Sequence, residues 1–246
     1  MSQTPNPFGT LARVASLMMA LTLAPLAQAQ DTAYQYSTQL SINDLLFEDM
    51  SQGVLDGNQP PMGSTLSLPN GDSVKALASV GVGINKAVAR IQTINPDQPA
   101  RLAYALSIAQ WRDSVTISDP ERDGELGHFT TTLLVNGSGA FDAQGSWANT
   151  GAVDLFAQWR SEVTVYSPDL GSTGNLWFGA WKRNGEMETI EYVGDPLNSF
   201  QQEVSFAFIY GQPFVLGTQL STYLFVDNPR LLPGTLDATL DLSNSA

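Results

Sequence analysis

The chain has 246 residues, with 24 acidic against 11 basic side chains, a formal charge of −13 and no cysteine. Such an acidic balance repels phosphate backbones and anionic headgroups, so nucleic acid and membrane surfaces are excluded as expected partners. Without cysteine there are no disulfides and no thiolate metal sites, and a chain this long can bury a core without covalent staples.

Residues 1–29 have the pattern of an export signal. A polar start with one basic residue, Arg13, leads into an apolar run from Val14 to Leu26. Ala27-Gln28-Ala29 then offers a small-residue cleavage site. The run is shorter than the roughly 18–20 residues of a membrane-spanning helix, and Pro25 breaks its end. The expectation is a signal peptide over 1–29, a secreted (extracellular or periplasmic) protein and no membrane insertion once the signal is removed.

Beyond the leader the periodicity is that of strands. Tyr34–Leu40 reads as the first, followed by a short helix around Ser41–Gln52, capped at Ser41 or Asn43. Val74–Ile84 comes next. Leu102, Tyr104, Leu106 and Ile108 then alternate with small or polar residues, giving a strand with one apolar face. Further strands are expected at Ser114–Ser118, Phe129–Val135, Gly151–Trp159 and Ser161–Tyr166. Around Trp177 both faces are apolar, with Leu176 and Phe178 on one side and Trp177 and Trp181 on the other, so a central strand covered on two sides is expected. Val204, Phe206, Phe208 and Tyr210 repeat the alternation, as do Leu236, Ala238, Leu240 and Leu242. Turn clusters such as Asp56-Gly57-Asn58-Gln59-Pro60-Pro61, Asn95-Pro96-Asp97-Gln98-Pro99 and Asn136-Gly137 separate them. Short strands so punctuated predict an all-β fold, an antiparallel β-sandwich or jelly roll with at most one or two short helices, in a single domain over 30–246.

A lone histidine, His128, rules out the two-histidine zinc-protease helix and multi-histidine zinc sites. No G-x-S-x-G elbow accompanies it, which leaves a loop-edge imidazole or an isolated general base. The loop Asp119-Pro120-Glu121-Arg122-Asp123-Gly124-Glu125 has the D-x-E-x-D-G start of a calcium loop, in which oxygens at positions one, three and five converge. Thr130 stands where the bidentate glutamate belongs, so the loop is either a solvated acidic hairpin or a calcium site using Asp119, Glu121 and Asp123. Tryptophans can stack on the apolar face of a sugar or fill a core. Trp111, Trp159, Trp177 and Trp181 fall within strands and read as core; Trp147, beside Gly145 and Asn149, is the expected exposed, ligand-binding ring.

Glu186-Met187-Glu188-Thr189-Ile190-Glu191 resembles the E-x-D-x-x-E strand of laminarinase-type glycoside hydrolases, secreted β-sandwiches in which a bulge brings the outer glutamates to one face. The resemblance covers six residues. It implies Glu186 as nucleophile, Glu191 as acid/base and Glu188 as the intervening carboxylate, where the family has aspartate. Retaining chemistry wants the two carboxyl groups roughly 5–5.5 Å apart.

Two further stretches, Phe206-Ala207-Phe208-Ile209-Tyr210-Gly211-Gln212-Pro213-Phe214-Val215-Leu216-Gly217 and Leu236-Asp237-Ala238-Thr239-Leu240-Asp241-Leu242-Ser243-Asn244-Ser245-Ala246, resemble the last strands of PEP-CTERM-type exported bacterial proteins. That resemblance implies an extracellular β-sandwich associated with exopolysaccharide. PEP-CTERM proteins continue into a sorting tail, which this sequence lacks; a freely released relative or a truncated reading frame would each account for that. The expected protein is a secreted, non-enzymatic β-sandwich of the envelope or extracellular matrix that binds polysaccharide. The alternatives are a retaining hydrolase and a calcium-stabilised adhesion module.

Overall fold

The computed structural model describes residues 33–54, 59–97, 100–149, 153–184, 186–192 and 200–243, without the side chains of 54, 149, 177–192 and 200. The leader, 1–29, lies outside the described residues, as do 55–58, 98–99, 150–152, 193–199 and 244–246.

Among the described residues, fourteen strands and one four-residue helix follow in chain order: β1 (Ala33–Ile42), β2 (Leu45–Val54), β3 (Met62–Ser67), β4 (Ser73–Gly81), β5 (Ile84–Thr93), β6 (Leu102–Thr116), β7 (Leu126–Val135), β8 (Ser138–Gly145), α1 (Ser146–Asn149), β9 (Asp154–Ser167), β10 (Gly171–Asn184), β11 (Glu186–Tyr192), β12 (Phe200–Ile209), β13 (Pro213–Asp227) and β14 (Gly234–Leu242). They form an antiparallel seven-stranded sheet, β11-β10-β9-β13-β6-β1-β2, a five-stranded sheet, β3-β4-β5-β14-β8, and a two-stranded sheet, β12-β7. The fold is all-β and sandwich-like. Among the described residues no helix is long and apolar enough to cross a membrane.

The helix expected around Ser41–Gln52 is instead the β1–β2 hairpin. Ile42 pairs with Leu45, leaving Asn43 and Asp44 as a two-residue turn with Asn43 at φ 55°. Asparagine tolerates that left-handed conformation, and tight hairpins require it. The Asn43 side chain does not cap a helix; its Oδ1 accepts from the Arg101 amide at 2.8 Å. Elsewhere the strands are longer than expected. Val74–Ile84 bends at Val82 and Gly83 into β4 and β5, Ser114–Ser118 lies largely at the end of the fifteen-residue β6, and of the strands expected at Gly151–Trp159 and Ser161–Tyr166 the residues from Asp154 on form one strand, β9. The strand through Trp177 is β10, second from the sheet edge rather than central, and Leu176 is 47% exposed. The side chains of Trp177, Phe178 and Trp181 lie outside those described.

Small side chains set the spacing of the two large sheets. Ala76 and Ala78 of β4 and Ala87 and Ala89 of β5 are fully buried, as are Ala103, Ala105 and Ala109 of β6. Between them the Ser107 hydroxyl donates to Leu77 O at 2.6 Å, and Thr38 Oγ1 meets Ser64 Oγ at 2.8 Å. The rest of the core carries the large residues. Val204, Phe206 and Phe208 of β12 join Phe214, Leu220, Leu224 and Trp159 there, alongside Leu236, Leu240 and Leu242 of β14.

Candidate functional site

The strand that shows the strongest alternation in the sequence turns its large residues away from the second sheet. In β6 the alanines face β4 and β5, so Leu102, Tyr104, Leu106 and Ile108 lie on the outer face of the seven-stranded sheet. There Leu106, Ile108, Tyr223 and Phe225 form a separate buried cluster, 3–5% exposed, with Leu102, Tyr104 and Phe156 packed against it. The rings lie 6.1–6.3 Å apart for the pairs Tyr104–Tyr223, Phe156–Tyr223 and Tyr223–Phe225. Such spacings suit tilted and offset aromatic packing.

One turn of the register further along the strands, the same face becomes polar. Gln52, Gln35, Gln110, Gln219 and Glu162 are consecutive cross-strand partners across five strands. The next row runs Ser37, Ile108, Ser221 and Arg160. Gln110 and Gln219 are 6% and 4% exposed. Arg160 and Glu162 form an ion pair at 2.7 Å. The Arg160 Nε and the Tyr223 hydroxyl are buried with no partner among the described residues. Buried polar groups are ordinarily paired, so these two atoms are exceptions on this face.

Electrostatics on this face follow from burial. Desolvation raises the Tyr223 hydroxyl well above its ordinary value, with Tyr104 adding to it, and raises Tyr104 beside Glu48. Both phenols therefore stay protonated as donors. Desolvation also lowers Arg112, whose row neighbour on this face is Gly217.

At the end of the face Asp227 and Asp154 are direct cross-strand partners. Burial lifts Asp227 above the ordinary carboxylate range and Asp154 adds to this, while Arg101 opposes it. A carboxyl group raised on folding stabilises the native state most at low pH, and that contribution is lost as pH rises through its folded value. Asp227→Asn is accordingly expected to raise stability at pH 7 by about 0.5 kcal/mol, the scale of a cross-strand like-charge pair. It should also flatten the fall in stability above about pH 4, as urea titrations at several pH values will measure.

The sites expected from sequence fare differently. Trp147 is not an exposed ring: it is 3% exposed in α1, and its Nε1 donates to Leu232 O at 2.7 Å. Glu121 and Asp123 are exposed and Asp119 is half-buried, but they do not assemble. Among the described residues no group of three or more His, Asp or Glu side chains could hold a metal ion. Asp119 Oδ1 instead accepts from the Glu121 amide at 3.1 Å, closing the turn locally. Arg122 is drawn over the Tyr210 ring, 4.2 Å from its centroid, and donates to the Tyr210 hydroxyl at 2.6 Å. His128 is exposed on β7 opposite Ala207.

Glu186, Glu188 and Glu191 all lie on the edge strand β11, their side chains outside those described. The backbone register opposes them to Asn184, Lys182 and Ala180, alternate residues of β10, because the ladder shifts between Thr189 and Glu191. The expected bulge is thus present at Ile190, and the three positions have one parity.

Glutamines in different strands leave no local motif, so the polar row emerges only from strand register. Comparison of the chain with protein-family models, with curated proteins and with solved structures finds no match.

Proposed function

We propose that the protein is a secreted, non-enzymatic β-sandwich that binds extracellular polysaccharide on the outer face of its seven-stranded sheet. The observation that carries this reading is the polar row Gln35, Gln110, Gln219 and Glu162 beside the half-buried rings of Tyr104 and Phe156, which the buried Tyr223 and Phe225 hold in place. Amides offer a donor and an acceptor together, which suits adjacent sugar hydroxyls, and aromatic faces suit the apolar side of a pyranose. The export pattern of residues 1–29 and the resemblance of the last strands to PEP-CTERM proteins support a place in the envelope or matrix. An acidic surface fits a neutral or basic glycan better than an anionic one.

Calorimetric titration against a panel of bacterial and plant glycans tests the proposal, using the purified protein and its Gln110→Leu/Gln219→Leu variant. Leucine keeps the volume but removes the polar groups, so stability should hold or rise. Affinity for the bound glycan should fall at least tenfold, about 1.4 kcal/mol. No binding across the panel, or unchanged binding by the double variant, would overturn the reading. The bulge at Ile190 favours a second reading, a retaining hydrolase using Glu186 and Glu191, with Glu188 between them. Reducing ends released from a panel glycan, and lost in Glu186→Gln, would establish it.

A further inference from the structure

The long edge of the seven-stranded sheet is built to meet another strand. Among the described residues β2 pairs with β1 alone, and the opposite side of its ten-residue backbone has no strand partner. Four of its residues are large, apolar and exposed: Leu45 at 51%, Leu46 at 60%, Phe47 at 42% and Met50 at 61%. Natural sheets blunt such edges with short strands, lysines, prolines or bulges. The edge strand β3 is only six residues long, and β11 carries three glutamates. β2 has no proline and no cation, and its register with β1 is unbroken.

We infer that the occupant of this edge is a second copy of the chain, joined antiparallel about a two-fold axis at Met50. Charge and the length of strand paired together select the register. β2 carries Glu48 and Asp49, and an axis at either one would set a carboxylate against its own copy, which is destabilising. An axis at Phe47 sets both acids against leucines. An axis at Met50 opposes Glu48 to Gln52, Asp49 to Ser51, Leu46 to Val54 and Phe47 to Gly53. No carboxylate then faces another, and nearly the whole strand pairs.

The last of these contacts is shape-matched. Gly53 has no side chain, and the Tyr34 ring leans over it: a Cβ there would sit 3.2 Å from Tyr34 Cε1 and from its hydroxyl oxygen. Tyr34 in turn lies 5.0 Å from the Tyr36 ring. Phe47 of the second copy, arriving opposite Gly53, meets this aromatic pair where a larger residue would block it. The two-fold makes the contact twice. Joining the edges extends the sheet and covers the apolar residues of both copies.

The chain has no cysteine, so a single introduced thiol reports the register. Facing residues of an antiparallel pair have Cα atoms about 4.5–5.5 Å apart, within the roughly 4.4–6.8 Å span of a disulfide. Under mild oxidation Met50→Cys should form a covalent dimer in high yield. Glu48→Cys should not, because four residues along the strand, about 13 Å, separate it from its copy. In sedimentation velocity the unmodified protein should be dimeric at tens of micromolar, and Met50→Lys should raise the dimer dissociation constant at least tenfold by placing two cations at the axis. A monomeric unmodified protein, equal cross-linking at both positions, or a dimer indifferent to Met50→Lys would overturn the proposal. So would monomers that take up a basic strand peptide at β2.

Discussion

Replacing Trp147 with alanine is expected to cost about 3–5 kcal/mol of stability, the range for removing a large buried aromatic side chain. The ring is 3% exposed. It sits in the four-residue helix α1 and reaches the loop that feeds β14, where its Nε1 donates to Leu232 O at 2.7 Å. The same carbonyl accepts from Asn228 Nδ2 at 3.2 Å, and Asn228 Oδ1 accepts from the Leu232 amide at 3.0 Å. The indole also lies against Gly234, where any Cβ would collide with its Cδ1 and with Gln144 O. Trp147→Phe keeps most of the volume and removes the donor, so it should cost about 1 kcal/mol plus a small packing loss. Gly234→Ala should cost about 1–3 kcal/mol through overpacking. Urea unfolding measures all three. A loss below 1 kcal/mol for Trp147→Ala would restore the exposed, ligand-binding ring that its loop position suggests.

The reason for that discrepancy is general to this fold. Periodicity shows that a strand has two different faces but does not say which one meets the second sheet. In β12 and β14 the distinction is plain, since Phe206, Phe208, Leu236 and Leu240 alternate with smaller or polar residues and the apolar side is buried. In β6 the same pattern is reversed in space. Ala103, Ala105 and Ala109 form the contact between sheets, because two close-set sheets need small residues, and the large residues build an outer cluster. The Asn43-Asp44 turn is locally indistinguishable from a helix cap until the Ile42–Leu45 pairing is known. Trp147 depends on Leu232, distant in sequence and brought close only by tertiary structure. Local acidic clusters are the easiest features to read, and the loop at Asp119 shows how readily such a cluster satisfies itself through a turn. The row of glutamines is the opposite case: one residue per strand, aligned only by register.

The largest polar effect is expected at Asp72, a fully buried carboxylate in the β3–β4 turn. Its Oδ1 accepts from the amides of Ile94 at 2.8 Å and Asn95 at 3.4 Å, and its Oδ2 accepts from Asn70 Nδ2 at 3.0 Å. Two of these donors belong to the segment leaving β5, so one side chain ties the edge hairpin to the strand beyond its neighbour. Gly71 makes the geometry possible at φ 92°, where a side chain would be strained and would strike Ile94 Cδ1. Asp72→Ala removes the acceptor of the Ile94 and Asn95 amides and a buried charge-assisted contact to Asn70, a loss of about 2–4 kcal/mol. Asp72→Asn retains one acceptor oxygen and should lose about half as much. Hydrogen exchange distinguishes the mechanism: protection should fall first in β3 and β4, while β6 and β13 keep theirs. The polar row lies on the far face of the other sheet, so glycan affinity in Asp72→Ala should match the parent protein below its unfolding transition. Uniform loss of protection across both sheets would mean that the turn anchors the whole sandwich rather than its edge.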